Sequence, residues 1–302
     1  MDQPFQQHTP PQSDSLSIGQ LVTLACVWEA TAPKPGNVHP TASFPDTTYE
    51  DFVTSAQAIG PAMQAAVSQG VGATVWQAVS ATRSAVSSNT NLGLILLLAP
   101  LATVPQDQPL QPGIGQILKS LSTADSSSVY DAIRLTEPGG IGKADGFDIQ
   151  DSPPKDLLLA MQEASSWDLI ARQYCQGFTD LFDLLCPWIE QGLSNGWTLS
   201  QSIVHCQLRC MATYPDSLIG RKCGQAVADE SQQRAAVVLN CDDPNTDRYQ
   251  QATSDLDHWL RADGHRRNPG TTADMTGAAL FIGLRHGTID ANLSASGSGD
   301  NR

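Results

Sequence analysis

The chain has 302 residues, 40% of them hydrophobic, and a formal net charge of −14. That is enough apolar material for a core in one large domain or two smaller ones. The acidic balance argues against a general nucleic-acid or membrane-surface role, and any polyanion site must gather its cations locally.

Residues 1–14 are polar and Gln/Pro-rich, lack the apolar stretch of a signal peptide, and read as a disordered tail. Leu16, Leu21, Leu24, Ala25 and Trp28 mark a first helix. Phe52, Val53, Ala56, Ile59, Met63 and Val67 repeat at helical spacing, and Val75, Val79 and Val86 mark a third helix. The apolar run Leu92 to Leu101, with Pro100 inside it, is about half of the ~20 residues a membrane span needs and reads as a buried core helix. After a Pro/Gln/Gly link at 104–115, short helices are expected near 114–121 and 126–135. A long helix is predicted over Trp167 to Leu185, stopped by Pro187. Others are predicted over 198–212, 217–239, 247–262 and 272–286. Alternating strand patterns are nearly absent. The expectation is an all-α, single-domain multi-helix bundle over 15–288, with its site at converging helix ends and a Ser/Gly/Asp-rich disordered tail at 289–302. Seven cysteines occur without CxxC spacing. Cys206 and Cys210 can share a helix face near His205, but buried reduced thiols account for them better than zinc. A soluble cytoplasmic protein is expected, without nucleic-acid or membrane partners.

Five segments break the helical pattern. In "EATAPKPGNVHP", residues 29–40, prolines flank Lys34 and limit its conformations. Such a turn can present a cation to an anion, or it can simply stop a helix beside a solvated lysine. "SSNTNLG", 87–93, offers Asn89, Thr90 and Asn91 before the apolar run, as plain caps or as part of an anion-binding helix N-terminus. "EPGGIGKADGFDIQD", 137–151, combines Gly139, Gly140, Gly142 and Gly146 with Lys143, Asp145, Asp148 and Asp151. Glycines let backbone N–H groups approach phosphate, and spaced carboxylates can hold hydrated Mg²⁺. The segment matches neither a P-loop nor an EF-hand, and an ordinary acidic loop is the alternative. "PDSLIGRK", 215–222, puts Arg221 and Lys222 one turn after the capping residues Asp216 or Ser217. In "RRNPGTTADMTG", 266–277, Thr271 and Asp274 resemble a capping box with Asp in place of Glu. His39 is the one histidine inside a candidate site; His8, His205, His258, His265 and His286 read as structural or exposed.

In this order, "PKPGNVH", "NTNLG", "PGGIGKADG", "DSLIGRK" and "NPGTTADMTGAALF" resemble the triphosphoribosyl-dephospho-CoA synthase family, over about residues 17–287. The resemblance implies an all-helical enzyme that joins ATP, accompanied by Mg²⁺, to 3′-dephospho-CoA. Adenine is released, the triphosphate is retained, and an α-glycosidic bond forms. Asn91 and Leu92 stand where related members carry His and Lys, and PGNV followed by His39 stands where they carry PGLV followed by Asp. The chain is similar to the divergent branch found in archaea and some bacteria and linked to tetrahydromethanopterin metabolism, so the acceptor is CoA-like or another small molecule.

The implied roles put Lys143, Arg221, Lys222 and Lys34 on the triphosphate, with the backbone of Gly139, Gly140 and Gly142. Asp145 and Asp148 would hold Mg²⁺, and Asn89 and Asn91 would orient the ribose. Glu29 or Asp274 would deprotonate the acceptor hydroxyl, and His39 would protonate the departing adenine. Two other readings stay open: an all-α Mg-dependent N-glycoside hydrolase, and a non-catalytic nucleotide-binding protein of cofactor biosynthesis. Helical enzymes of this size often dimerise, so a homodimer is compatible.

Overall fold

Ser17 opens the first helix with a capping box, its N–H donating to Gln20 Oε1 at 2.9 Å while its hydroxyl accepts from Gln20 N. Thr48 with Asp51 and Thr198 with Gln201 open two later helices in the same way. The computed structural model describes residues 16–136, 152–241 and 243–295. Its first half contains α1 (Ile18–Thr31), α2 (Tyr49–Gln64), α3 (Ala66–Gln69), α4 (Val71–Ala85), α5 (Leu92–Thr103), α6 (Leu110–Lys119) and α7 (Thr123–Thr136). Then follow α8 (Leu157–Ala164), α9 (Leu169–Gln176), a π-helical turn (Leu181–Leu185), α10 (Cys186–Ser194), α11 (Leu199–Thr213) and α12 (Ser217–Cys223). The chain continues through α13 (Gln225–Leu239), α14 (Asp247–Arg261) and α15 (Gly270–His286). Among the described residues the only strand-like pairings are two isolated bridges, His39 with Ala42 and Phe44 with Thr47. The all-α, single-domain expectation holds.

The centre is built from α5 and α15. Every residue of α5 from Leu94 to Thr103 is buried, as an all-round apolar helix must be. It packs on α15, α4 and α6, while α15 also contacts α1, α11 and α12. Pro100 has no N–H for the carbonyl of Leu96, and the Tyr174 hydroxyl donates to that oxygen instead, at 2.7 Å. Arg285 closes the far end of α5 by donating to the carbonyls of Leu101, Val104 and Pro105 at 2.7–2.8 Å.

Three predicted boundaries are corrected. The helix expected over 167–185 is broken after Gln176, where Gly177 and Phe178 both take left-handed φ (63° and 64°) before the π-helical turn. Asp180 secures that break, accepting from Arg172 Nε at 3.1 Å, Gln173 Nε2 at 2.8 Å and the Tyr214 hydroxyl at 3.0 Å. Pro187 does not stop a helix: the π-helical turn runs into α10 without a break, Leu185 and Cys186 both being helical, and Pro187 follows directly after Cys186. The helix expected over 217–239 divides at Gly224, whose φ of 89° ends α12 and starts α13. At the C-terminal end the chain remains packed past 288, because Ile289 and Ala295 are buried. Cys206 and Cys210 are buried free thiols, as expected, and no group of metal-ligating side chains occurs among the described residues. Nor is any described helix long and apolar enough to cross a membrane.

Candidate active site

The C-terminal half of α1 and the N-terminal ends of α5, α9 and α15 converge, with α12, on one cavity of about 860 Å³. Six predicted site residues line it: Glu29, Asn89, Asn91, Arg221, Lys222 and Asp274. They come from positions 245 residues apart in sequence, because each lies at or near a helix end facing the same side of α5 and α15.

Two carboxylates line the cavity. Glu29 is 7% exposed and pairs with Lys34 Nζ at 2.9 Å. Asp274 is half-buried at the wall. Burial, and then the nearby charges of Glu29 and Asp216, push its carboxyl well above the usual range, while Arg221 and the N–H of Leu94 pull the other way. Gly93 makes this geometry possible, since a Cβ there would meet Asp274 Oδ2 at 2.1 Å. The last residue of "NTNLG" thus lets a carboxylate approach the exposed N–H groups of α5. The capping-box reading of Thr271 and Asp274 is corrected: α15 has no side-chain cap, and Asp216 serves its first turn, accepting from Thr272 N at 2.8 Å and Thr272 Oγ1 at 3.0 Å. Asp216 Oδ1 also caps α12.

The cationic wall comes from α12. Arg221 Nη1 pairs with Asp168, whose other oxygen caps α9 through Ile170 N at 2.9 Å and Ala171 N at 3.0 Å. Arg221 Nε is buried without a partner. Lys222 has its pKa lowered mainly by desolvation, with Asp46 the strongest opposing charge. Asn91 is 7% exposed, and its Nδ2 also has no partner. Asn89 Oδ1 accepts from Leu92 N at 3.3 Å, so the predicted helix-start role of this segment falls on Asn89 rather than on the side chain of Asn91.

Two predicted residues lie elsewhere. Lys34 is wholly buried and does not line the cavity; its ammonium is bound to the side chain and backbone carbonyl of Glu29, which corrects its assignment to the triphosphate. His39 is also absent from the lining. It bridges to Ala42, its Nδ1 lies 3.1 Å from Thr41 Oγ1, and burial followed by the Arg261 charge lowers its pKa, so it is a poor proton donor to a departing base. Gly139, Gly140, Gly142, Lys143, Asp145 and Asp148 lie outside the described residues. Lining residues not predicted include Asp168, Asn268 and Trp167, and also His265, whose ring is 5.4 Å from that of Phe44.

The family model for ATP:dephospho-CoA triphosphoribosyl transferase (CitG) matches residues 15–292. A crystal structure of a provisionally assigned triphosphoribosyl-dephospho-CoA synthase from Archaeoglobus fulgidus superposes with a TM-score of 0.62 at 25% identity, covering 77% of this chain and 98% of that one. Comparison with curated proteins gives no match. With a match running over nearly the whole chain, and with an all-α fold that gathers four of the five quoted segments around one cavity, the protein belongs to the ATP:dephospho-CoA triphosphoribosyl transferase family of enzymes.

Proposed function

We propose that the chain transfers the triphosphoribosyl group of MgATP to a hydroxyl of dephospho-CoA or a related acceptor and releases adenine. The observation that carries this reading is the meeting of Glu29 and Asp274 with Arg221 and Lys222 in one cavity. Displacement of adenine builds positive charge on the ribose, which carboxylates stabilise, beside a polyanion, which cations hold. Mg²⁺ enters with the nucleotide and screens its phosphates. Such an ion would need only one or two protein carboxylates beside the phosphate oxygens, and of the two Glu29 is a donor of that type, Asp274 being kept for proton transfer. The assignment of Asp145 and Asp148 to the metal is part of the proposal.

Asp274 is the better placed of the two as general base, because Glu29 is held by the Lys34 ammonium while Asp274 has no ion-pair partner among the described residues. In the proposed step the acceptor hydroxyl gives its proton to Asp274, and its oxygen bonds C1′ as the C1′–N9 bond breaks. Adenine leaves with one proton from solvent, and Asp274 returns its own to water. Conversion of a β-glycoside to an α-glycoside places the acceptor opposite the departing base, so one carboxylate can serve the acceptor face.

The test is chromatographic detection of adenine and of the linked product after incubation with MgATP and dephospho-CoA. Asp274→Asn is expected to lower the rate by about 10²–10⁴-fold. Free triphosphoribose without a linked product would point to hydrolysis, and a wild-type protein releasing no adenine overturns the proposal.

A further inference from the structure

Behind the cavity wall runs a chain of carboxamides that the transfer step does not use. Gln207, on α11, is wholly buried, and its Nε2 donates to Asn37 Oδ1 at 2.5 Å. Asn37 is 6% exposed, and its Nδ2 donates to Asn268 Oδ1 at 2.6 Å. The backbone around Asn37 is fixed from α14. Arg261 donates to the Asn37 carbonyl and is held by Asp257, which also accepts from Gly36 N at 2.8 Å.

The chain has a direction. Each carboxamide oxygen is filled by the nitrogen before it, so Asn268 lines the cavity with its oxygen occupied and its Nδ2 without a protein acceptor among the described residues. Gln207 Oε1 has no partner at all. Gln207 Oε1 marks the inner end of the relay, and the sense of the relay is set at its cavity end, by what Asn268 meets there. Reversed, it would turn the oxygen of Asn268 toward the ligand.

The surroundings say which ligand group needs a donor there. Asn268 stands immediately before α15, a 17-residue helix whose N-terminus has no side-chain cap. Arg221 and Lys222 line the same cavity, as does Asn91, a buried carboxamide whose Nδ2 is also without a partner. We propose that Gln207 and Asn37 are positioning residues that hold Asn268 as a hydrogen-bond donor to a phosphoryl oxygen of the bound nucleotide. This rests on reading the cavity as a nucleotide-triphosphate site.

Calorimetric binding of inorganic tripolyphosphate and, separately, of adenosine at fixed Mg²⁺ tests it. Asn268→Ala should weaken tripolyphosphate about ten-fold and leave adenosine within about two-fold. Gln207→Met, similar in volume but without the donor, should weaken tripolyphosphate by about three-fold, a smaller loss because Asn37 can still reach Asn268. The double variant should bind no worse than Asn268→Ala, since Gln207 acts through Asn268. Unchanged tripolyphosphate binding in Asn268→Ala, equal loss of both ligands, or additive losses in the double variant would each overturn the proposal. Melting curves check folding, and Asn268→Ser, which retains an acceptor for Asn37, replaces the alanine variant if that one melts early. Wild-type protein that binds tripolyphosphate but releases no adenine defeats the transfer reading and leaves the donor standing. Wild-type protein that binds neither ligand defeats both.

Discussion

Glu29 and Asp274 reach the same cavity with opposite support. Glu29, near the C-terminal end of α1, has a buried ammonium of its own: Lys34 turns back through the proline bend and binds it at 2.9 Å. Asp274, in the first turns of α15, has no paired cation. It has the N–H of Leu94, the more distant field of Arg221 and the repulsion of Glu29. One carboxylate is therefore fixed in place by an ion pair that local chain geometry brings to it, while the other is held without one. The difference assigns electrostatic support to Glu29 and proton transfer to Asp274.

Ranked by effect on stability, the first way to break this comparison is Lys34→Met. Removing one partner of a buried pair strands the other, at about 3–5 kcal/mol. Urea unfolding should show that loss, and Glu29→Gln combined with Lys34→Met should recover most of it because no charge is then stranded. A lysine that served the ligand instead would give a stable variant with weakened nucleotide binding.

Gly93→Ala attacks the other carboxylate. The new methyl would lie 2.1 Å from Asp274 Oδ2 and 2.7 Å from Ile170 Cδ1, so Asp274 must move or α5 must shift. Overpacking of this kind costs about 1–3 kcal/mol, and adenine release should fall with it. Adding Asp274→Ala should restore the melting temperature but not the activity. If Gly93→Ala alone were silent in both measurements, Asp274 would not sit against the start of α5.

What the sequence shows of this arrangement is uneven, for physical reasons. The apolar run of α5 is a local signal and the helix it marks is found, whereas the T-x-x-D pattern of Thr271 and Asp274 misleads, because Asp216 from a distant segment serves that turn. The breaks at Gly177 and Gly224 are not legible, because the hydrophobic period continues across them and only a left-handed φ betrays the turn. Glu29, Asn91, Arg221 and Asp274 are legible because the ends of helices hold unusual residues in short clusters. Lys34 is legible as special but not as buried, since its destination depends on a chain reversal between two prolines. Gln207 carries no local signal, and Asn268, though inside a quoted segment, is not singled out there: their partner Asn37 is 170 and 231 residues away in sequence. Asp168 likewise gains its meaning only from Arg221, 53 residues on.

The smallest stability effect is the most diagnostic, and its sign is unusual for an active-site change. Asp274→Asn should raise the melting temperature at neutral pH. A carboxyl whose pKa is raised on folding leaves stability intact below its unfolded value, about 3.9. As pH climbs from there through the raised folded value, the unfolded chain ionises first and stability is lost progressively. Asparagine cannot ionise, can still accept from Leu94 N, and offers an N–H to the side facing Glu29. The two proteins should therefore melt together near pH 4 and separate as pH rises, the gap levelling off above the folded pKa. Relief of this kind is worth roughly 0.5–2 kcal/mol, a few degrees in a chain of this size. Glu29→Gln offers an internal control. It removes the largest charge acting on Asp274, so the pH at which the Asp274 gap levels off should move down toward the ordinary carboxylate range, and the gap itself should shrink. A pH-independent gap, or an asparagine variant less stable than wild type, would mean that Asp274 is an ordinary paired carboxylate and that the base lies elsewhere in the cavity.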